Sequence, residues 1–150
     1  MTITDLLFGE HGVFYAMFNH IEERLEEASL DEIQILTAIL TSSLESHAQL
    51  EDDALFKVLE PHIGVMGPIG VMRMEHDEIV KSLVAILQQT DRDAAAKLMR
   101  HAIEVARSHF SKEENILFPM AVNVLGEDEL ASLTSRWTAL RLSGAQACSC

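Results

Sequence analysis

The sequence predicts an all-α fold, an antiparallel up-down four-helix bundle followed by a short fifth helix. Apolar residues recur every three or four positions through most of the 150 residues, which is the spacing of one face of a helix. No stretch alternates apolar and polar residues as a half-buried strand does. Because the predicted connections are short, each helix should return beside the one before it.

The first two helices are expected over about residues 4–27 and 30–59, with Asp31 as a candidate N-cap of the second. The inward stripe of the first is Leu7, His11, Phe14, Phe18, Ile21 and Leu25. The inward stripe of the second is Ile33, Leu36, Leu40, Leu44, His47, Glu51, Ala54 and Val58. Each stripe is therefore apolar except for one or two polar positions.

The second half follows a break rich in proline and glycine over residues 61–70. A third helix is expected over about 68–89, and a fourth over about 92–121, capped by Asp91 or Asp93 and ending near Pro119. The third stripe is Ile69, Met72, His76, Ile79, Leu83 and Ile86; the fourth is Ala95, Leu98, Ala102, Val105, His109, Glu113, Ile116 and Met120. A fifth helix should span about 127–142.

The length predicts a single domain, with the bundle over residues 1–142 and a flexible tail over 143–150. Cys148 and Cys150 are the only cysteines, so no disulfide framework is expected. Two thiols this close together are able to share a soft cation or oxidise together, but a tail of small residues favours incidental thiols.

The charge excludes several partner classes. The chain carries 24 acidic against 11 basic residues, a formal net charge of −13, without a basic cluster. Nucleic acid and anionic membrane surfaces would be repelled. The first ten residues lack the basic and long apolar regions of a signal peptide, which predicts a cytoplasmic location.

Six polar residues interrupt the apolar stripes in one region of the predicted core, with His47 and His109 about one helical turn deeper than the other four. Each of the second and fourth helices carries a histidine followed four residues later by a glutamate, which places both side chains on one face. At 1.5 Å per residue, one polar position on each helix falls roughly 11–12 Å from the same end of the bundle. The six residues are His11, His47, Glu51, His76, His109 and Glu113.

A dinuclear metal centre explains this polar layer. Carboxylates and imidazoles buried without partners cost free energy, whereas two carboxylates and four neutral imidazoles suit two cations. The nitrogen and oxygen donors favour iron, with manganese or zinc as alternatives. His20, His62 and His101 lie off the stripes and are interpreted as surface residues. Tyr15 flanks His11, where packing is favoured over a role as a hydrogen-bond donor or ligand to the centre.

The series of His11, His47-x-x-x-Glu51, His76 and His109-x-x-x-Glu113, closed by Leu117-Phe-Pro119, resembles the hemerythrin family, in particular the bacterial hemerythrin-like cation-binding (HHE) domains. The resemblance covers roughly residues 6–120. It implies two iron ions with an oxo or hydroxo bridge. Glu51 and Glu113 would bridge, with His11 and His47 on one iron and His76 and His109 on the other.

One departure from the family bears on function. The oxygen-carrying hemerythrins have a fifth histidine one turn from the counterpart of His76, where this chain has Met72 and Val80. The site therefore has fewer protein ligands, leaving coordination room for a small molecule or for a carboxylate such as Glu75 or Glu78. This favours redox chemistry, sensing or iron handling over simple oxygen carriage.

The first functional hypothesis is a di-iron protein that binds or reacts with dioxygen, peroxide or nitric oxide, with any enzymatic turnover left open. The alternative is an iron sensor or reservoir whose fold or partner contacts depend on metal occupancy. A ferritin-like oxidase fits less well, because that class places the glutamate first at a spacing of three. A bundle without metal is the structural fallback.

Overall fold

The computed structural model describes the backbone of residues 1–146 and the side chains of residues 1–142. All regular structure in the described residues is helical. The helices are α1 Ile3–Arg24, α2 Leu30–Glu51, α3 Lys57–Ile63, α4 Pro68–Leu87, α5 Arg92–Lys112, α6 Phe118–Leu125, α7 Glu127–Ser132 and α8 Thr134–Gln146. Two π-helical segments, Asp52–Phe56 and Glu113–Leu117, join α2 to α3 and α5 to α6. Cys148 and Cys150 lie outside the described residues.

Hydrogen bonds between helices show that α1, α2, α4 and α5 form the predicted antiparallel bundle. Gln34 near the start of α2 donates to the carbonyl of Leu87 at the end of α4. Arg92 at the start of α5 donates to the carbonyl of Ala28 just beyond the end of α1, and Arg107 farther along α5 reaches Glu22. Neighbouring helices therefore run in opposite directions. No helix in the described part of the chain is long and apolar enough to cross a membrane.

Two separate apolar cores fill the bundle, one on each side of the polar layer. The upper core is centred on Phe14, Phe18, Leu40 and Leu83. The lower core is built from the other ends of the helices together with α3, α6 and α7; its members include Ile3, Leu55, Phe56, Ile69, Leu117 and Leu130. The bundle therefore holds its buried histidines and carboxylates as a single layer between two packed apolar regions.

The helix starts follow from their capping residues. Thr2 and Asp5 form a reciprocal capping box at the start of α1, and Ser29 forms one with Glu32 at the start of α2. The expected cap Asp31 was wrong by two residues, because the Ser29 hydroxyl, with glutamate three residues later, satisfies more of the exposed backbone N–H groups. Asp91 caps α5, as one of the two predicted alternatives.

The π segments shift the buried face by one position and carry the helices beyond their predicted ends. Ile116 was expected to face inward but is 55% exposed, whereas Leu117 is buried. Leu59 is likewise buried in place of the predicted Val58. A π turn inserts one extra residue, so the inward face advances by one after Glu51 and Glu113. Phe118 N–H bonds to Glu113, and the helix continues past Pro119 to Leu125.

Two glycines end helices in a backbone conformation that other residues rarely adopt. Gly64 and Gly126 have φ of 79° with ψ of 158° and 162°. We expect Gly64→Ala and Gly126→Ala each to lower the free energy of unfolding by about 1–3 kcal/mol, measured by urea denaturation. Gly9→Ala is the control, because its Cβ meets no atom within 4 Å inside α1 and alanine favours helix by up to about 1 kcal/mol. Unchanged stability at both Gly64 and Gly126 would contradict this expectation.

Candidate metal centre

The structure brings all six predicted ligand residues together in the polar layer. Each of the four bundle helices contributes, with the two glutamates lying where α2 and α5 pass into the π segments. Five of the six residues are at most 1% exposed, namely His11, His47, Glu51, His109 and Glu113. The His76 side chain is 15% exposed and lies at the edge of the layer. π turns often occur at functional sites, and here one begins directly after Glu51 and the other at Glu113.

The six residues form two groups of donors that share both glutamates. One group is His11, His47, Glu51 and Glu113, and the other is Glu51, His76, His109 and Glu113. Within each group the ligand atoms lie within 4.8 Å of one another. Each group has enough donors to hold one cation, and the two groups have both carboxylates in common.

Each shared carboxylate directs one oxygen to each half of the centre. Glu51 Oε1 lies 3.2 Å from His47 Nε2, while Glu51 Oε2 lies 3.3 Å from His76 Nε2. Glu113 Oε2 lies 3.4 Å from His11 Nε2, and Glu113 Oε1 lies 3.3 Å from His109 Nε2. This is the geometry that a carboxylate needs to bridge two cations.

Unsatisfied buried atoms show that the residues fit a metal. Both carboxylate oxygens of Glu51 and of Glu113, and the Nε2 atoms of His76 and His109, are buried without a hydrogen bond. Each such group buried without a partner costs about 1–3 kcal/mol, and a charged group costs more. Cations between the carboxylates and imidazoles would satisfy these atoms together, whereas an interaction bundle without metal would gain nothing from them.

Protons on the histidines are stabilised by the buried carboxylates. Burial alone would lower the pKa of His11, but the carboxylates of Glu113 and Glu51 outweigh burial and raise it to about 9. Burial would likewise lower the pKa of His47, but the carboxylates of Glu51 and Glu10 outweigh burial and raise it to about 10. The pKa of Glu51 lies well below its usual value despite complete burial, because His47, His11 and His76 surround it. A metal bound by these imidazoles would displace protons from this layer.

Comparison with known families gives an independent result. The family model described as the Hemerythrin HHE cation binding domain matches residues 2–121. The chain belongs to this hemerythrin family. The predicted family and helical fold are thereby confirmed, and the match covers all six residues of the candidate centre while leaving α7 and α8 outside it.

Curated relatives match a shorter part of this hemerythrin-family chain. The iron-sulfur cluster repair protein YtfE of Escherichia coli O81 (strain ED1a) is 33% identical over 97 residues, covering 56% of this chain and 44% of the relative. The protein of the same name from Escherichia coli O157:H7 is 32% identical with the same coverage. The chain thus matches less than half the length of these relatives. No solved structure matches it.

Carboxylates behind three of the histidines were not predicted from the sequence of this hemerythrin-family chain. The pairs, each through histidine Nδ1, are His11 with Glu114 at 2.9 Å, His47 with Glu10 at 2.7 Å and His109 with Glu75 at 2.9 Å. When Nδ1–H donates to a carboxylate, the Nε2 lone pair is left free to face a metal. A repeated Glu-His dipeptide, at 10–11 and 75–76, was the available signal.

The remaining predicted residues have definite positions. Glu75 is held by His109 and Lys112, and Glu78 is exposed, so neither faces the layer as the predicted additional carboxylate. The Tyr15 hydroxyl donates to Glu114 Oε1 at 3.1 Å, and burial and the Glu114 charge raise its pKa to about 12. Tyr15 is therefore connected to His11 through the Glu114 carboxylate. The three histidines assigned to the surface, His20, His62 and His101, are exposed.

Proposed function

We propose that this hemerythrin-family chain is a non-haem di-iron protein that binds or reacts with a small oxidant, namely dioxygen, peroxide or nitric oxide. In this proposal His11 and His47 would hold one iron, His76 and His109 the other, and both glutamates would bridge. The supporting observation is the pair of donor groups that share Glu51 and Glu113. When bound, a pair of ferrous ions supplies up to two electrons to an oxidant.

A small apolar cavity beside the histidines supports the choice of substrate size. It offers about 20 Å³ of room for the centre of a small molecule and is lined by His47, His76 and His109 together with apolar residues. The apolar lining residues are Leu44, Ala48, Ile79, Val80 and Phe110. This is space for about one water-sized molecule. The cavity therefore favours a diatomic molecule or peroxide over a bulky organic substrate.

Aromatic rings packed against the histidines restrict the orientation of the candidate ligands. Phe110 stacks on the His11 ring with the centroids 4.0 Å apart and an angle of 12° between the planes. Phe56 packs against the His76 ring at 6.0 Å from the other side of the layer. These contacts limit rotation of the imidazoles, since a closely packed core leaves little room for alternative rotamers.

Val80 offers a direct test of access to the centre. We expect Val80→Phe to fill part of the cavity and to slow oxidation of the reduced, iron-loaded protein roughly tenfold, equivalent to about 1.4 kcal/mol in the barrier. Stopped-flow mixing with dioxygen, peroxide and nitric oxide in parallel measures the rates and shows which molecule reacts.

The control for this variant is Val84→Phe, one helical turn along α4. Val84 is 42% exposed and does not line the cavity. The Val84→Phe substitution should leave the oxidation rates unchanged, and both variants should retain the iron content of the wild type. Equal rates for the two fully loaded variants would contradict entry through this cavity.

A second candidate is iron handling, as a sensor or reservoir. The relatives are named for iron–sulfur cluster repair, which favours a role in which iron itself is stored or supplied. Partial unfolding on iron removal would support sensing, whereas an intact metal-free bundle would support chemistry at the centre. In either case we propose a cytoplasmic protein whose net charge of −13 disfavours nucleic acid and anionic membranes as partners.

A further inference from the structure

Glu10 connects the candidate centre to the C-terminal helix α8. Its Oε2 accepts from His47 Nδ1 at 2.7 Å and also contacts Arg141. Its Oε1 accepts from Trp137 Nε1 at 2.9 Å and from Arg141 Nε at 2.9 Å. Both oxygens of one carboxylate are thus shared between a candidate metal ligand and two side chains of α8.

The same contacts make up much of the attachment of α8. No side chain of residues 134–142 is fully buried, and Trp137 and Leu140 are only partly covered against the lower core. Arg141 adds a hydrogen bond to Ser46 on α2 at 2.8 Å. Elements with few buried apolar contacts open at low free-energy cost. The docking of α8 therefore depends strongly on the Glu10 carboxylate.

A metal on His47 would strengthen this connection. A cation at Nε2 fixes the tautomer that carries hydrogen on Nδ1, and it draws electron density from the ring, so Nδ1–H becomes a stronger donor to Glu10. A carboxylate held by His47, Trp137 and Arg141 at once is better oriented than one held by His47 alone.

We propose that Glu10 is a positioning residue for His47 and that, through it, metal occupancy and the docking of α8 stabilise each other. This inference rests on the proposed metal centre. The coupling must be reciprocal: if docked α8 raises the metal affinity by some factor, bound metal favours docking by the same factor. α8 lies beyond the part of the chain that the family model matches.

The opposite half of the centre provides an internal comparison. There His109 Nδ1 contacts Glu75 Oε2 at 2.9 Å, and Lys112 of the same helix as His109 supports Glu75. This connection has the same chemistry but does not involve α8. Weakening it should affect metal binding without affecting the C-terminal helix.

The experiment uses the full chain, freed of metal and titrated with Zn²⁺, which has no redox chemistry. Trp137 is the only tryptophan, so its fluorescence reports directly on α8. Hydrogen exchange of residues 134–146 gives a second readout, and metal analysis gives the stoichiometry. The variants are Glu10→Gln, Arg141→Gln and Arg141→Lys, with Lys112→Met as the matched control.

In the wild type we expect two Zn²⁺ per chain, a change in Trp137 emission and roughly tenfold slower exchange in α8 when metal is bound. Glu10→Gln and Arg141→Gln should weaken one of the two sites about 10–100-fold and abolish the response of α8. Arg141→Lys should restore part of both effects. Lys112→Met should retain the response of α8.

Two results would overturn the inference while leaving the metal centre intact. One is a wild type that binds two Zn²⁺ with no change in α8, and the other is a Glu10→Gln protein with wild-type affinities and a wild-type response. A wild type that binds neither Zn²⁺ nor Fe²⁺ would overturn the proposed function, and this inference with it.

Discussion

We expect Glu51→Gln to remove both metal ions from the protein rather than one. Glu51 directs one oxygen to each half of the centre, with His47 at 3.2 Å and His76 at 3.3 Å. A glutamine has a single acceptor oxygen and no charge, so it cannot bridge two cations. Each site should bind metal at least about 100-fold more weakly, equivalent to roughly 2.7 kcal/mol. Metal analysis after desalting measures the loss.

Glu78→Gln is the matched control for this substitution. Glu78 lies on α4 near His76 but is exposed, so the Glu78→Gln protein should keep the full metal content. Glu113→Gln should behave like Glu51→Gln, because Glu113 is shared in the same way. A Glu51→Gln protein that retains one full equivalent of metal would show that Glu51 is a ligand in only one of the two sites.

Removal of metal by a chelator should lower the melting temperature by at least about 10 °C. A ligand present at about 1,000 times its dissociation constant stabilises the folded state by about 4 kcal/mol per site. For a chain of this length, each kcal/mol shifts the melting temperature by roughly 2–4 °C. Calorimetry of the iron-loaded protein with and without chelator measures the difference.

The Glu51→Gln protein tests whether this stabilisation comes from the centre. Without metal, the Glu51 carboxylate is stabilised by the surrounding histidines, so glutamine leaves their protons less compensated and the variant should be no more stable than the chelated wild type. It should also be insensitive to the chelator. A wild type that melts at the same temperature with and without chelator, after proven metal loading, would contradict the coupling of metal to stability.

The polar layer could be predicted from the sequence because helical periodicity alone determines it. His11 and His76 fall in apolar stripes at one depth and His47 and His109 about one helical turn deeper, and antiparallel packing brings them together. This prediction needed only the helix face and the depth of each residue, and not its rotamer. Their role as ligands remains a prediction that rests on the convergence and the unsatisfied atoms.

The π segments could not be predicted, because the periodicity of 3.6 assumes an uninterrupted α-helix. One extra residue in each turn moved burial from Val58 to Leu59 and from Ile116 to Leu117. Pro119 misled for the same reason, since the helix continues through it beyond the π segment. Smaller misses precede the glutamates, where Leu36, Leu98 and Val105 are only partly buried and their neighbours Thr37, Met99 and Ala106 are buried instead.

The carboxylates behind the histidines were missed because their partners are on different helices. Glu10 is adjacent to His11 in the chain but bonds to His47, and Glu75 is adjacent to His76 but bonds to His109. Periodicity assigns these glutamates to the flank of each helix, where acidic residues are usually solvated. Only the packed bundle shows which imidazole each one reaches.

The most direct test of the central claim is anomalous X-ray diffraction from crystals of the iron-loaded protein at the iron absorption edge. The account predicts two peaks of similar height in the polar layer, one beside His11 and His47 and the other beside His76 and His109, with Glu51 and Glu113 between them. A single peak, or no peak within this layer in protein shown to contain iron, would contradict it.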